Sequence, residues 1–155
     1  MKKAVVLSDV SVTQDEFLEL RDTDVYKLAL NHHASEYKPN ARIFSDYFDL
    51  AKLHLRFPND IIYTVRCKPL RPVKNIVVAD VEFKGSTMIA AIEFLIQQGA
   101  EKILLVADNT VHSQHFRDEI YNNILKLPTN TEIYQFRTGY FPLPVLGVRD
   151  FLWNI

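Results

Sequence analysis

The amino-acid sequence predicts an α/β fold of the doubly wound kind, with a mostly parallel sheet and helices on both faces. Three observations carry that prediction. Short apolar runs alternate with helix-patterned stretches, the order that parallel strands and their crossover helices impose. Several runs are continuously apolar, as strands buried on both faces are. No repeat, low-complexity tract or Gly/Ser linker interrupts residues 1–155, so one domain is expected over that whole span.

The elements follow in order. Ala4–Leu7 is the first strand. Thr13 and Glu16 stand at capping-box spacing ahead of Phe17, Leu18 and Leu20, which supply the apolar side of a short helix. Val25–Leu30 is the second strand, and Ala41–Ser45 adds a shorter one. A helix is expected over Tyr47–Phe57, then strands at Ile61–Val65 and Ile76–Ala79. The clearest helix runs from Ser86 to Gln98, because Met88, Ile89, Ile92, Leu95 and Ile96 recur at helical spacing and Gly99 supplies a stop. Ile103–Val106 is the next strand, and Ser113–Leu127 the next helix, striped by Phe116, Ile120, Ile124 and Leu127 and ended by Pro128. Ile133–Phe136, a proline turn over Thr138–Pro144 and a closing helix within Val145–Trp153 complete the chain. Of these runs, Ala4–Leu7, Val25–Leu30, Ile76–Ala79 and Ile103–Val106 are expected to be the neighbouring central strands.

Composition narrows the partners. A chain of 155 residues buries roughly 70% of the surface it exposes when unfolded, so a real core is available. Its 18 basic and 19 acidic side chains nearly cancel, which leaves no global field to attract nucleic acid or an anionic membrane. Neither is expected as a partner, and homo-oligomerisation stays open. Cys67 is the one cysteine, so an internal disulfide and a thiolate metal cluster are both excluded, and a cytoplasmic setting is expected. Met1, Lys2 and Lys3 precede an apolar run too short for a signal peptide, and no window reaches the roughly 20 apolar residues of a membrane span.

In open parallel sheets, ligands bind beyond the carboxyl ends of the strands, where loops lead into helix N-termini. Polar residues follow each predicted strand: Ser8, Asp9 and Ser11; Asn31, His32 and His33; Ser45 and Asp46; Lys84, Gly85, Ser86 and Thr87; Asp108, Asn109, His112 and His115. Gly85, Ser86 and Thr87 form the best anion-binding candidate. Free backbone N–H groups and the helix dipole converge there, and glycine permits close approach. The same Ser86 is equally explained as a plain N-cap. Neither a P-loop nor a G-x-G-x-x-G pattern occurs, so ATP hydrolysis and ordinary dinucleotide binding are not indicated. The histidines with Asp46 and Asp108 have no recognised ligand spacing, and no metal is expected; Cys67 between Arg66 and Lys68 lacks a named partner for nucleophilic chemistry.

Gly85-Ser86-Thr87 leading into Ala91–Leu95, then Gly99–Val106 with Asp108, resembles the central segment of a Rossmann-like group. That group includes bacterial oligosaccharide sialyltransferases, motility-associated glycosyltransferase-like proteins and archaeal hydroxymethylpterin pyrophosphokinases. Val25–Asn31 followed by Ala41–Asp46 is similar to the group's strand ending in asparagine and its next strand ending in aspartate. Ile133–Phe136 with Gly139, Leu143, Pro144, Phe151 and Leu152 is similar to its closing strand, proline loop and final helix. The resemblance implies contacts to a cytidine nucleotide from Asn31, Gly85 and Ser86, with Thr87 and Asp108 beside them. The place of the group's glycine-rich first turn holds Leu7, Ser8, Asp9 and Val10. No residue matches the transferases' catalytic base, for which His112 is the nearest chemical substitute.

The function expected is a nucleotide or nucleotide-sugar binding domain related to glycosyltransferases of surface-glycan assembly, with cytidine ligands tried first. Two alternatives stand beside it. One is a non-enzymatic partner or regulatory domain that keeps the fold; the other is a metal-dependent hydrolase, which requires the histidines to converge.

Overall fold

The computed structural model describes residues 1–45, 50–66, 68–107, 114–127, 129–137 and 141–155, with the backbone alone at 114–116. Its centre is a sheet of seven parallel strands: β1 (Lys3–Leu7), β2 (Tyr26–Leu30), β3 (Ala41–Phe44), β4 (Ile61–Thr64), β5 (Ile76–Val78), β6 (Lys102–Val106) and β7 (Glu132–Gln135). Their order across the sheet is β5-β4-β3-β2-β1-β6-β7. Five helices accompany them: α1 (Gln14–Asp22), α2 (Leu50–Arg56), α3 (Thr87–Gln97), α4 (Gln114–Leu125) and α5 (Val148–Trp153). This is the doubly wound, Rossmann-like α/β architecture.

Alternation along the strands explains the layers. Val5 and Leu7 of β1 pack with Leu20 of α1 and Val148, Phe151 and Leu152 of α5, while Ala4 and Val6 face α3 and α4. The α2 residues Leu50 and Leu53 join the first face through Phe44 and Ile62. Right-handed crossovers demand this division. The chain steps from β1 toward β5 with α1 and α2 on one face, then returns through α3 to β6 on the opposite face. The winding direction reverses between β1 and β6.

Helix α3 holds the larger core together. Met88 through Ile92, Phe94 and Leu95 are all buried, and the helix packs across β1, β2 and β3. Ser86 caps its start by accepting a hydrogen bond from the Met88 N–H at 3.1 Å. Helix α1 begins with the expected capping box, Thr13 Oγ1 accepting from the Glu16 N–H and Glu16 Oε1 from the Thr13 N–H.

One expectation is overturned. Ile76–Ala79 was expected among the central strands, yet β5 is the outer edge, and Val77 and Val78 are 45% and 52% exposed. Its expected place beside β2, β1 and β6 belongs to β3, every residue of which is buried. Apolar content alone does not separate an edge strand from a central one, and Arg42 disguised β3. Its charge is accommodated by a full set of partners described below. The residues 46–49 at the start of the expected Tyr47–Phe57 helix lie outside the described residues, as does Pro128.

Candidate functional site

Among the described residues, Asn31, Ser45, Ser86 and Thr87 lie along the carboxyl edge of the sheet. Asn31 follows β2 in the left-handed region, φ 54°, which asparagine tolerates better than most residues. Its N–H donates to the Ile43 carbonyl at 3.0 Å, so it continues the sheet one step past the strand. Two residues beyond Ile43, the Ser45 hydroxyl meets the Thr87 hydroxyl at 2.5 Å. This contact seats the start of α3 over the end of β3. Asn31, Ser45, Ser86 and Thr87 therefore share one rim. The Asn31 side chain has no hydrogen-bond partner among the described residues.

Gly85 makes the turn into α3 with φ +86°, a conformation that side-chain-bearing residues rarely adopt, and no described residue beyond its chain neighbours lies within 4 Å of where its Cβ would stand. The turn thus presents an open face. Ser86 Oγ is engaged as an acceptor by Met88, which leaves its own O–H available to donate. The neighbouring cation is not free to help: Lys84 Nζ is held by both carboxylate oxygens of Glu93, at 2.8 and 3.0 Å. An anion at this helix start would rely on backbone N–H groups, the hydroxyl and the dipole.

A residue not singled out in the sequence fixes the Asn31 segment from beneath. Arg42 is 1% exposed. Its Nε donates to Asp60 Oδ2 at 2.7 Å, its Nη1 to the carbonyls of Asn31 (3.2 Å) and His33 (2.5 Å), and its Nη2 to Ser35 Oγ. Phe57 lies 4.2 Å from its guanidinium carbon. The sequence signal was one arginine in an apolar strand, which is informative only when the strand is known to be central. Beside it, the His32 ring packs against Phe44 and Phe57, centroids 5.2 and 5.7 Å away. Burial lowers the His32 pKa, and the charges of Arg56 and Arg42 and the neighbouring His33 lower it further. The fully buried Thr64 hydroxyl has no hydrogen-bond partner among the described residues.

Across the reversal point, Ser8 donates its N–H to the Val106 carbonyl at 3.0 Å, joining the first turn to β6. Arg137, after β7, pairs with Glu16 and reaches the Ser11 carbonyl at 3.5 Å. Asp46, Cys67, Asp108, Asn109, His112 and Gly139 lie outside the described residues, as does the His115 side chain. Among the described residues no three His, Cys, Asp or Glu side chains assemble as a metal-binding group, and no helix is long and apolar enough to cross a membrane. Open grooves among the described residues include one of about 580 Å³ between α1 and α5 and one of about 490 Å³ at the amino-terminal edge, near Lys3, Tyr26 and Leu152.

Fold and rim together define a class, a doubly wound parallel α/β domain with a polar helix start on its carboxyl edge. No family model, curated protein or solved structure matches the chain.

Proposed function

We propose that this protein is a nucleotide or nucleotide-sugar binding domain of the glycosyltransferase-like kind, with a cytidine nucleotide as the first ligand to test. The observation that carries the reading is the Gly85-Ser86-Thr87 turn, open on its glycine side and seated by Ser45 on the rim that also holds Asn31. Phosphate would lie over the start of α3, receiving backbone N–H groups and the Ser86 O–H. The base or ribose would lie toward Asn31, whose amide offers both a donor and an acceptor to a nucleotide edge. Since β2 adjoins β1, such a ligand runs along the rim toward the β1–β6 reversal point. The resemblance of the Gly85–Val106 segment to the sialyltransferase group supports the same assignment. From the sequence alone, Asp108 is assigned as a further ligand contact and His112 as the candidate acid or base.

Isothermal titration with cytidine mono- and diphosphates tests this. Ser86→Ala and Asn31→Ala are each expected to weaken binding by roughly 0.5 to 1.5 kcal/mol, the worth of one hydrogen bond, without unfolding the domain. Absence of heat at millimolar ligand, for nucleotides and nucleotide sugars alike, would overturn the proposal.

A specific observation favours a second reading. The hydroxyls of Ser86 and Thr87 already have partners within the fold, as helix-capping residues do, which fits a partner or regulatory domain that needs no ligand there. In that case Ser86→Ala lowers stability while no nucleotide response exists to lose.

A further inference from the structure

The outer edge of the sheet is the most unusual surface of the molecule. The bonds from Ile62 N–H to the Asn75 carbonyl (2.8 Å) and from Ala79 N–H to the Thr64 carbonyl (2.9 Å) fix which β5 groups face β4. Residues 75, 77 and 79 turn their backbone inward. By the alternation of a parallel ladder, the Ile76 carbonyl and both the N–H and carbonyl of Val78 point away from the sheet, where no further strand stands among the described residues. The strand is short, three residues, but carries neither proline nor charge, two of the usual protections of an exposed edge.

Charge lies beside it instead. From Ile61 to Ala79 the sequence holds Arg66, Lys68, Arg71 and Lys74 and no acidic residue. Lys68, Arg71 and Lys74 are exposed, and none has an ion-pair partner among the described residues. The segment containing them is the β4–β5 connection, and Val73 anchors it on the α2 face. Ile76 packs on that same face, so Val78, two residues on, faces it as well, while Val77 faces the α3 side. The acids that flank this stretch are Asp60, paired with Arg42, on one side and Asp80 and Glu82, after the strand, on the other.

We infer that β5 is a docking edge for an acidic extended segment of a partner protein, added as an eighth strand. The added strand would bond to Val78 and the Ile76 carbonyl. One face of the added strand would cover Val77 and the other, toward the α2 face on which Val73 seats the β4–β5 connection, would carry carboxylates for its cations, so the segment that fits alternates carboxylate and apolar residues. Charge favours this occupant, since carboxylates would meet the unpaired cations that precede the strand; an antiparallel second copy, which would set those cations against its own Asp80 and Glu82, is the competing occupant that the test separates.

The probe is a fluorescein-labelled peptide of alternating Glu and Val, with a Lys/Val peptide and a single-stranded oligonucleotide as comparisons. Val78→Pro removes the outward N–H without touching a bond to β4, so the sheet is expected to survive it, as edge prolines allow. Fluorescence anisotropy is expected to show binding of the Glu/Val peptide alone. Val78→Pro, and separately the reversal of Lys68, Arg71 and Lys74 to Glu, should each weaken it about tenfold or more, and added salt should weaken it too. Hydrogen exchange of wild-type protein should show the Val78 amide protected when peptide is added, a readout that stands even if the proline variant misfolds. Three results with the probes would overturn the inference: no binding at millimolar peptide, binding with the Val78 amide unprotected, or preference for the oligonucleotide, which makes the cations a nucleic-acid patch. Concentration-dependent dimerisation that protects Val78 without peptide would assign the edge to a second copy and equally overturn it.

Discussion

Arg42 is the residue on which the candidate rim depends most. A buried guanidinium is tolerable only when paired and hydrogen-bonded, and here Asp60, two backbone carbonyls and Ser35 supply that set. Arg42→Met keeps much of the volume but abandons the Asp60 carboxylate and the Asn31 and His33 carbonyls. Urea denaturation is expected to show a loss of roughly 3 kcal/mol, and a loss within experimental error would mean that the network contributes nothing net. His32 gives a pH-dependent counterpart. Burial first, then Arg56, Arg42 and His33, hold its folded pKa below the ordinary value. As pH falls through about 6.5, the unfolded chain takes up a proton at this position that the folded chain refuses, so stability drops until the folded pKa is also passed. The contribution is thus fully present above the ordinary value and lost on the acid side. His32→Leu should flatten the difference in unfolding free energy between pH 7.5 and pH 5; an unchanged slope would contradict the assignment.

At the scale of elements, the turn into α3 separates backbone cost from contact cost. Gly85 has φ +86° and open space where a Cβ would go. Gly85→Ala should therefore cost about 1 to 2 kcal/mol, the price of a left-handed residue, with no steric addition. Thermal or chemical unfolding measures it, and a neutral result would show that the turn relaxes. Elements were also the scale most legible in the sequence. All seven apolar runs are strands, and the Thr13–Glu16 box and the Met88–Ile96 stripe mark helices where expected. What apolar patterning could not supply was lateral order. Ile76–Val78 and Ile103–Val106 look alike along the chain, but only the second is buried on both faces, because position in a sheet depends on crossover topology and not on local composition. The candidate rim was legible in part. Ser45 and Asn31 stood out as polar residues after strands, whereas the Ser45–Thr87 contact, 42 residues apart in sequence, had no local signal.

For the whole molecule, the two proposed surfaces lie on different parts of one sheet, the nucleotide at its carboxyl rim and the acidic strand at its β5 edge. They are separable by experiment, since Val78 belongs to one and Ser86 to the other. The rim is the central claim, and it rests on a helix start whose nearby lysine is already neutralised by Glu93. Weak, phosphate-directed binding is therefore expected, and locating it matters more than detecting it. The most direct measurement is an amide chemical-shift titration of the isotope-labelled protein with cytidine monophosphate. Saturable shifts are expected, concentrated at Gly85, Ser86, Thr87 and Asn31 and saturating at higher ligand concentration in Ser86→Ala, with the β5 amides unmoved. Shifts confined to the α1–α5 groove, or none at millimolar ligand, would contradict the central claim.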